Sequence, residues 1–259
     1  MKTRTIAVAG KGGTGKTTLA ALIINCLKER GEGPILAIDA DPDANLGTLL
    51  GVEVETAVGD LREDVIKELK DLPPGMSKAH YVEAGLHQII EESNGFDLIT
   101  MGRGEGPGCY CYLNNLIRKF YQDLTPSYAW VVMDNEAGLE HISRRTASNL
   151  DALLVVVNHN PISIKTAKKI ESITQTLKNQ IDHKFFVTNM VPPEHKQALD
   201  SRLDALTFQH IGDIPYDAAL AGNVLDGEPL SHLTDSKAKQ IVNEILFNPG
   251  GVYATTGCQ

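Results

Sequence analysis

The chain has 259 residues and four cysteines, and its 24 Lys and Arg against 33 Asp and Glu give a formal charge of 24 − 33 = −9. That acidity excludes a surface built mainly to grip nucleic acid or anionic lipid, because both need clustered Lys and Arg to displace counterions. With 42% hydrophobic and 22% charged residues, the composition is that of a globular chain, long enough for one large α/β domain. No stretch reaches the roughly 18 consecutive apolar residues of a membrane helix. Met1-Lys2-Thr3-Arg4 has the charge of a signal peptide, but the apolar run after it is too short for one. Four cysteines are few for a disulfide-stapled secreted fold, so a cytoplasmic protein with structural, metal-binding or reactive thiols is expected.

The first strand, Thr5–Ala9, runs into Gly10-Lys11-Gly12-Gly13-Thr14-Gly15-Lys16-Thr17-Thr18, a P-loop in its required strand-loop-helix setting. Glycines let successive N–H groups turn toward phosphate, Lys16 reaches the β and γ oxygens, and the Thr17 hydroxyl is placed to ligate Mg²⁺. A helix over Lys16–Lys28 aims its positive end at the same anion. The next strand, Ile35–Asp39, ends in Asp39-Ala40-Asp41-Pro42-Asp43, delivering acids beside the γ-phosphate of ATP if it neighbours the P-loop strand. Gly51–Glu92 is less regular, with an acidic helix-prone piece and a Pro73-Pro74-Gly75 breaker, and is expected to be an insertion packed on a sheet edge.

After a strand at Phe96–Met101 comes a loop with four glycines and a proline, then Cys109-Tyr110-Cys111 and a helix over Tyr112–Tyr121. Two thiols at i and i+2 of an extended chain point the same way and can share one ion, but a closed thiolate site wants four ligands. Two copies meeting on a two-fold axis would supply them. Zn²⁺, Ni²⁺ and Cu⁺ all suit such sulfur ligands. Two buried, inert thiols are the plainer alternative.

Trp130-Val131-Val132-Met133-Asp134 is an apolar strand ending in one acid, as a Walker B strand does. Strands at Ala152–Val157 and Lys184–Thr188 follow, with a weaker one near Phe208–Ile211, and helices at Ile162–Leu177 and Ser236–Phe247. The amide of Asn189, at the end of its strand, can pair with adenine N6 and N7; a turn-forming role before Pro192-Pro193 is the plainer reading. The fold class implied is α/β, a single-domain P-loop NTPase with a mostly parallel twisted sheet flanked by helices. Residues 1–247 form the ATPase domain with the insertion at about 51–92, and 248–259, rich in Gly and Thr, form a C-terminal tail that is flexible unless something holds it.

Lys11-Gly12-Gly13-Thr14-Gly15-Lys16-Thr17 resembles the deviant Walker A signature of the partition and cell-division ATPases, the arsenite pump ATPase and the nitrogenase iron protein. The resemblance implies that Lys11 crosses a homodimer interface to the partner's nucleotide, a charge supplied in trans. It further implies that Asp41 orients or deprotonates the attacking water and that Asp39 holds the water shell of Mg²⁺, alongside Thr17 and Asp134. In Asn135-Glu136-Ala137-Gly138 it implies a second switch whose Gly138 N–H senses the γ-phosphate, and it makes Pro215 a wall of the nucleotide site.

Adding Cys109-Tyr110-Cys111 and Asp134-Asn135-Glu136-Ala137-Gly138-Leu139-Glu140-His141, the chain resembles the CooC-type nickel-inserting ATPases. That likeness implies Ni²⁺ on the paired cysteines, with Zn²⁺ able to occupy the same sulfurs, and delivery to apo carbon monoxide dehydrogenase or acetyl-CoA synthase. An iron-sulfur reductase resembling the nitrogenase iron protein is disfavoured, because 134–150 contains no cysteine. A membrane- or DNA-positioning ATPase is disfavoured by the acidity and by the absence of a basic face on Ser236–Phe247; no nucleic acid or membrane partner is expected.

Overall fold

Strands that are apolar on both faces must be covered on both, and the sheet of this protein is. The computed structural model describes residues 2–68, 77–102, 111–136, 149–177 and 180–256. The first half of the chain forms β1 (Arg4–Gly10), α1 (Lys16–Glu29), β2 (Ile35–Ala40), α2 (Leu46–Leu50), α3 (Val58–Glu68), α4 (Lys78–Gln88), β3 (Ile90–Ser93) and β4 (Phe96–Thr100). Then come α5 (Cys111–Leu124), β5 (Trp130–Asn135), β6 (Asn149–Val157), α6 (Pro161–Thr176), β7 (Gln180–Asn189) and α7 (Pro193–Leu203). The chain closes with β8 (Gln209–Ile214), α8 (Ala218–Leu225), α9 (Lys237–Phe247) and α10 (Val252–Thr256).

Among the described residues the strands make one eight-stranded sheet in the order β3-β4-β2-β5-β1-β6-β7-β8, in which only β3 is antiparallel, against β4. Alternation along each strand divides the core into two layers. Ile6, Val8, Leu154 and Val156 face α1 residues such as Leu19 and Ile23 and α9 residues Val242 and Leu246. Ala7, Ala9, Leu153 and Val155 face the opposite layer, which includes Leu61, Val82, Ile117, Ile170 and Leu199. Helix starts follow local chemistry: the Asn160 side chain accepts from Ile162 N–H ahead of Pro161 on α6, and Ser236 accepts from Lys239 N–H at the head of α9.

The apolar stripe of Ser236–Phe247 is core, since Ala238, Val242, Ile245 and Leu246 are all buried. Among the described residues no helix is long and apolar enough to cross a membrane. The described part of the segment after Asn248, residues 249–256, is held: Val252 is buried and the Tyr253 ring lies 5.8 Å from that of Trp130, under the Arg4 guanidinium at 4.3 Å. One buried aliphatic residue and one aromatic stack tie down a sequence whose Gly and Thr content predicted freedom. Among the described residues of the 51–92 region, helices α3 and α4 contribute Val58, Leu61, Val82 and Leu86 to the core, and strand β3 lies at the sheet edge.

Candidate nucleotide site

Parallel strands bring their carboxyl ends to one edge, and the described residues predicted for the nucleotide site collect there. The P-loop leaves β1 at Gly10, and α1 begins at Lys16 with Gly15 in the left-handed conformation, φ +89°. Thr14 is fully buried and ties the loop across itself: its N–H donates to Lys11 O at 3.2 Å and its hydroxyl to the same oxygen at 2.8 Å. Lys16 is buried, whereas the Lys11 ammonium donates to the Gly12 carbonyl on the exposed side of the loop. Thr17 and Thr18, partly exposed, lie on the first turn of α1.

Asp39 and Asp134 are partners in register across β2 and β5, and Asp134 is also paired with Val8, two residues before the P-loop. Both are completely buried. Asp39 is braced: one oxygen accepts Asp41 N–H at 3.1 Å and the other Leu46 N–H at 2.9 Å. Neither oxygen of Asp134 has a hydrogen-bond partner among the described residues. Burial pushes the Asp134 carboxyl up to about 7, opposed by the nearby Thr17 hydroxyl, which stops short of a full hydrogen bond, and reinforced by Asp39. Burial likewise lifts Asp39 to about 6 against the two N–H donors.

An orphaned buried carboxylate beside a second one, a lysine and a threonine hydroxyl is a fitting donor set for a hydrated Mg²⁺, which takes one or two carboxylates and completes its shell with water and phosphate. Among the described residues no group of three or more His, Cys, Asp or Glu is placed to hold a metal directly. A magnesium site of this kind does not need one.

The raised carboxyls make stability depend on pH. In nucleotide-free, metal-free protein both groups bind protons more tightly folded than unfolded, where the ordinary value is 3.8. The stability contributed by these two groups is therefore full below about pH 4 and is lost as the pH rises through about 6 and 7, by several kcal/mol in all as an order of magnitude. Thermal unfolding is expected at lower temperature at pH 8 than at pH 5, and Asp134→Asn should flatten the difference. A melting temperature that rises between those two pH values would contradict the burial argument.

Asn189 ends β7 and is buried, its amide donating to Thr14 O at 2.8 Å. The sequence pointed this amide toward adenine; the observed bond braces the P-loop backbone, leaving the amide oxygen and the second N–H for other partners. Pro215 follows β8, whose Ile214 is in register with Asn189, so both lie on the site edge. Asn135 is a brace that the sequence reading did not single out, its amide donating to Val8 O at 3.1 Å. The signal was present, since Asn135 directly follows Asp134. Asp41 is half-buried and its Oδ1 accepts Asp43 N–H at 3.1 Å.

Gly15→Ala is a sensitive test of this packing. A Cβ there would lie 2.4 Å from Asn189 Nδ2 in a backbone conformation that side chains disfavour. Loss of the Asn189–Thr14 bond and the added strain should weaken ATP binding about tenfold, read by nucleotide titration.

Of the remaining predicted residues, Cys109 and Gly138 lie outside the described residues. Cys111 opens α5 rather than continuing an extended run. Cys26 is core, its thiol pushed up to about 11 by burial.

Residues 5–230 match the family model of the CobQ/CobB/MinD/ParA nucleotide-binding domain. The chain is 40% identical over 248 residues to an uncharacterized ATP-binding protein of Methanocaldococcus jannaschii, covering 93% of this chain and 98% of that one. It is 32% identical over 227 residues to the carbon monoxide dehydrogenase accessory protein CooC of Rhodospirillum rubrum, covering 83% and 84%. Among solved structures, a ParA family ATPase from Chlorobium tepidum shares the fold at a TM-score of 0.69 and 17% identity, over 94% of this chain and 98% of that one.

Proposed function

The chain belongs to the CobQ/CobB/MinD/ParA family of P-loop ATPases, and on that premise we propose that it is an ATP-driven nickel-loading factor acting on apo carbon monoxide dehydrogenase or acetyl-CoA synthase. The observation that carries this reading is the likeness to CooC across most of both chains. The second P-loop lysine and the Cys109–Cys111 pair support it.

In this reading the P-loop N–H groups cradle the phosphates of ATP, and Lys16 neutralises charge on the β and γ oxygens. Thr17, Asp39 and Asp134 hold Mg²⁺ with its waters; when bound, the ion screens the phosphate oxygens and offsets the two buried carboxylates. Asp41, on the loop that Asp39 braces, orients the attacking water and accepts its proton. Gly138 N–H senses the γ-phosphate, while Asn189 and Pro215 border the base. Lys11, whose ammonium meets only its own loop carbonyl among the described residues, reaches the nucleotide of the second subunit. ATP then favours the homodimer through contacts that a monomer lacks. Closure brings two cysteine pairs around one Ni²⁺, the cargo, and hydrolysis relaxes the loops for transfer.

Equilibrium dialysis should find about one Ni²⁺ per dimer, with binding lost in Cys109→Ser/Cys111→Ser. Tight nickel binding by that double variant would remove the cysteines from the model. Lys11→Ala should fail to dimerise with ATP in sedimentation experiments; normal dimerisation would withdraw its role in trans.

A further inference from the structure

Beside the β2–α2 loop lies a cavity of about 570 Å³ bounded by Ala44 and Thr48, by the start of α3, and by Thr100 and Gly102 at the end of β4. The Thr100 side chain is 1% exposed and its hydroxyl has no hydrogen-bond partner among the described residues. A buried hydroxyl left unpaired is costly, and a ligand donor entering the cavity would satisfy it. Glu53, Glu55, Asp60 and Glu63 also line the cavity, all solvent-exposed, and none of its described lining residues is Lys or Arg. Asp60 accepts Ala57 N–H at 3.0 Å, and Glu55 N–H donates to Glu91, which adds a fifth acid nearby. Val52, Val54 and Ala57 supply an apolar wall between these charges.

We infer that this cavity receives a cationic side chain, an arginine, from a protein partner. Its methylenes would lie against Val52, Val54 and Ala57. Its planar guanidinium carries five donors and no acceptor, matching a site that offers carboxylate oxygens and one unpaired hydroxyl oxygen. A directly ligated metal ion fits less well, because the described residues hold no group of three or more His, Cys, Asp or Glu placed for one, and an apolar wall offers such an ion nothing.

The site is linked to the nucleotide through the backbone. Thr100 is in register with Asp39, and Asp39 holds Leu46 N–H, between wall residues Ala44 and Thr48. A nucleotide-dependent shift of that loop moves one wall, so the two bound nucleotides, ATP and ADP, should give different affinities for the arginine. The inference does not depend on nickel or on the cysteine pair.

The test uses the full chain, isotopically labelled, with the blocked peptide acetyl-Gly-Arg-Gly-amide and its neutral citrulline counterpart. The arginine peptide should give saturable amide shifts at Ala44, Thr48, Gly59 and Gly102, and the citrulline peptide should bind at least ~10-fold more weakly. Thr100→Val should weaken binding about fivefold. The triple variant Glu53→Gln/Glu55→Gln/Glu63→Gln should weaken it at least ~10-fold; its positions are exposed, so it keeps the test intact if Thr100→Val unfolds. Equal shifts from both peptides, shifts scattered over other acidic surface, wild-type binding by the triple variant, or the same shifts produced stoichiometrically by MgCl₂ or NiCl₂ would each overturn the inference.

Discussion

Lys16→Ala is expected to lower kcat/KM for ATP hydrolysis on the order of 1000-fold, the scale seen when a preorganised donor to developing negative charge is removed. The lysine is buried at the first turn of α1 and lowers the carboxyl of Asp134, itself raised by burial. Its removal therefore acts twice: the phosphate oxygens lose a charge-assisted contact, and the buried Asp134 carboxylate loses a neighbouring cation. Lys16→Arg should rescue little, because a wide planar guanidinium does not replace a compact ammonium inside a close-fitting loop. Phosphate release measured under saturating and limiting ATP separates the two losses, and circular dichroism verifies the fold. A variant that keeps a tenth of the wild-type rate would show that the loop does not cradle the reacting phosphate.

The parts of this site that were legible in the sequence are those where one physical demand dominates. Residues 6–9, 35–38, 130–133 and 152–157 of β1, β2, β5 and β6 are buried on both faces, so each is a continuous apolar run, and the acids that end two of those runs mark the sheet's carboxyl edge. β8 reads weakly because it is an edge strand with exposed Gln209, His210 and Asp213. β3 was hidden by its polar Ile90-Glu91-Glu92-Ser93, although Asn94-Gly95, with Gly95 at φ +91°, is a strong two-residue hairpin signal between Ser93 and Phe96. α8 has no buried residue and hence no amphipathic stripe to recognise.

Pairings across the sheet were beyond reach, because register is a tertiary fact. That Asp39 and Asp134 stand opposite each other, and that Asn135 turns inward to hold Val8, depends on β5 lying between β2 and β1, just as the Asn189–Thr14 bond depends on β7 lying beyond β6 on the other side of β1. Sequence order gives no hint of that insertion. It places both acids at the root of the P-loop, where Lys16 and, in the proposed function, a magnesium ion would supply the charge that makes their burial tolerable.

The same arrangement sets the expectation for Asp41→Asn, whose outcome separates catalysis from architecture. In the protein Asp41 Oδ1 accepts Asp43 N–H, and Asp41 N–H donates to Asp39. An asparagine oxygen and the unchanged backbone can make both bonds, so the loop should keep its shape and ATP affinity should stay within about threefold. What asparagine lacks is a carboxylate able to take a proton from water, and a positioned base is worth roughly 100- to 10,000-fold. The expected result is a fall of kcat by that factor at nearly constant ATP affinity, with ATP-bound dimer accumulating because hydrolysis no longer dissolves it. If affinity and kcat fall together, Asp41 acts by shaping the loop that Asp39 anchors, and the base must be sought elsewhere along the same sheet edge.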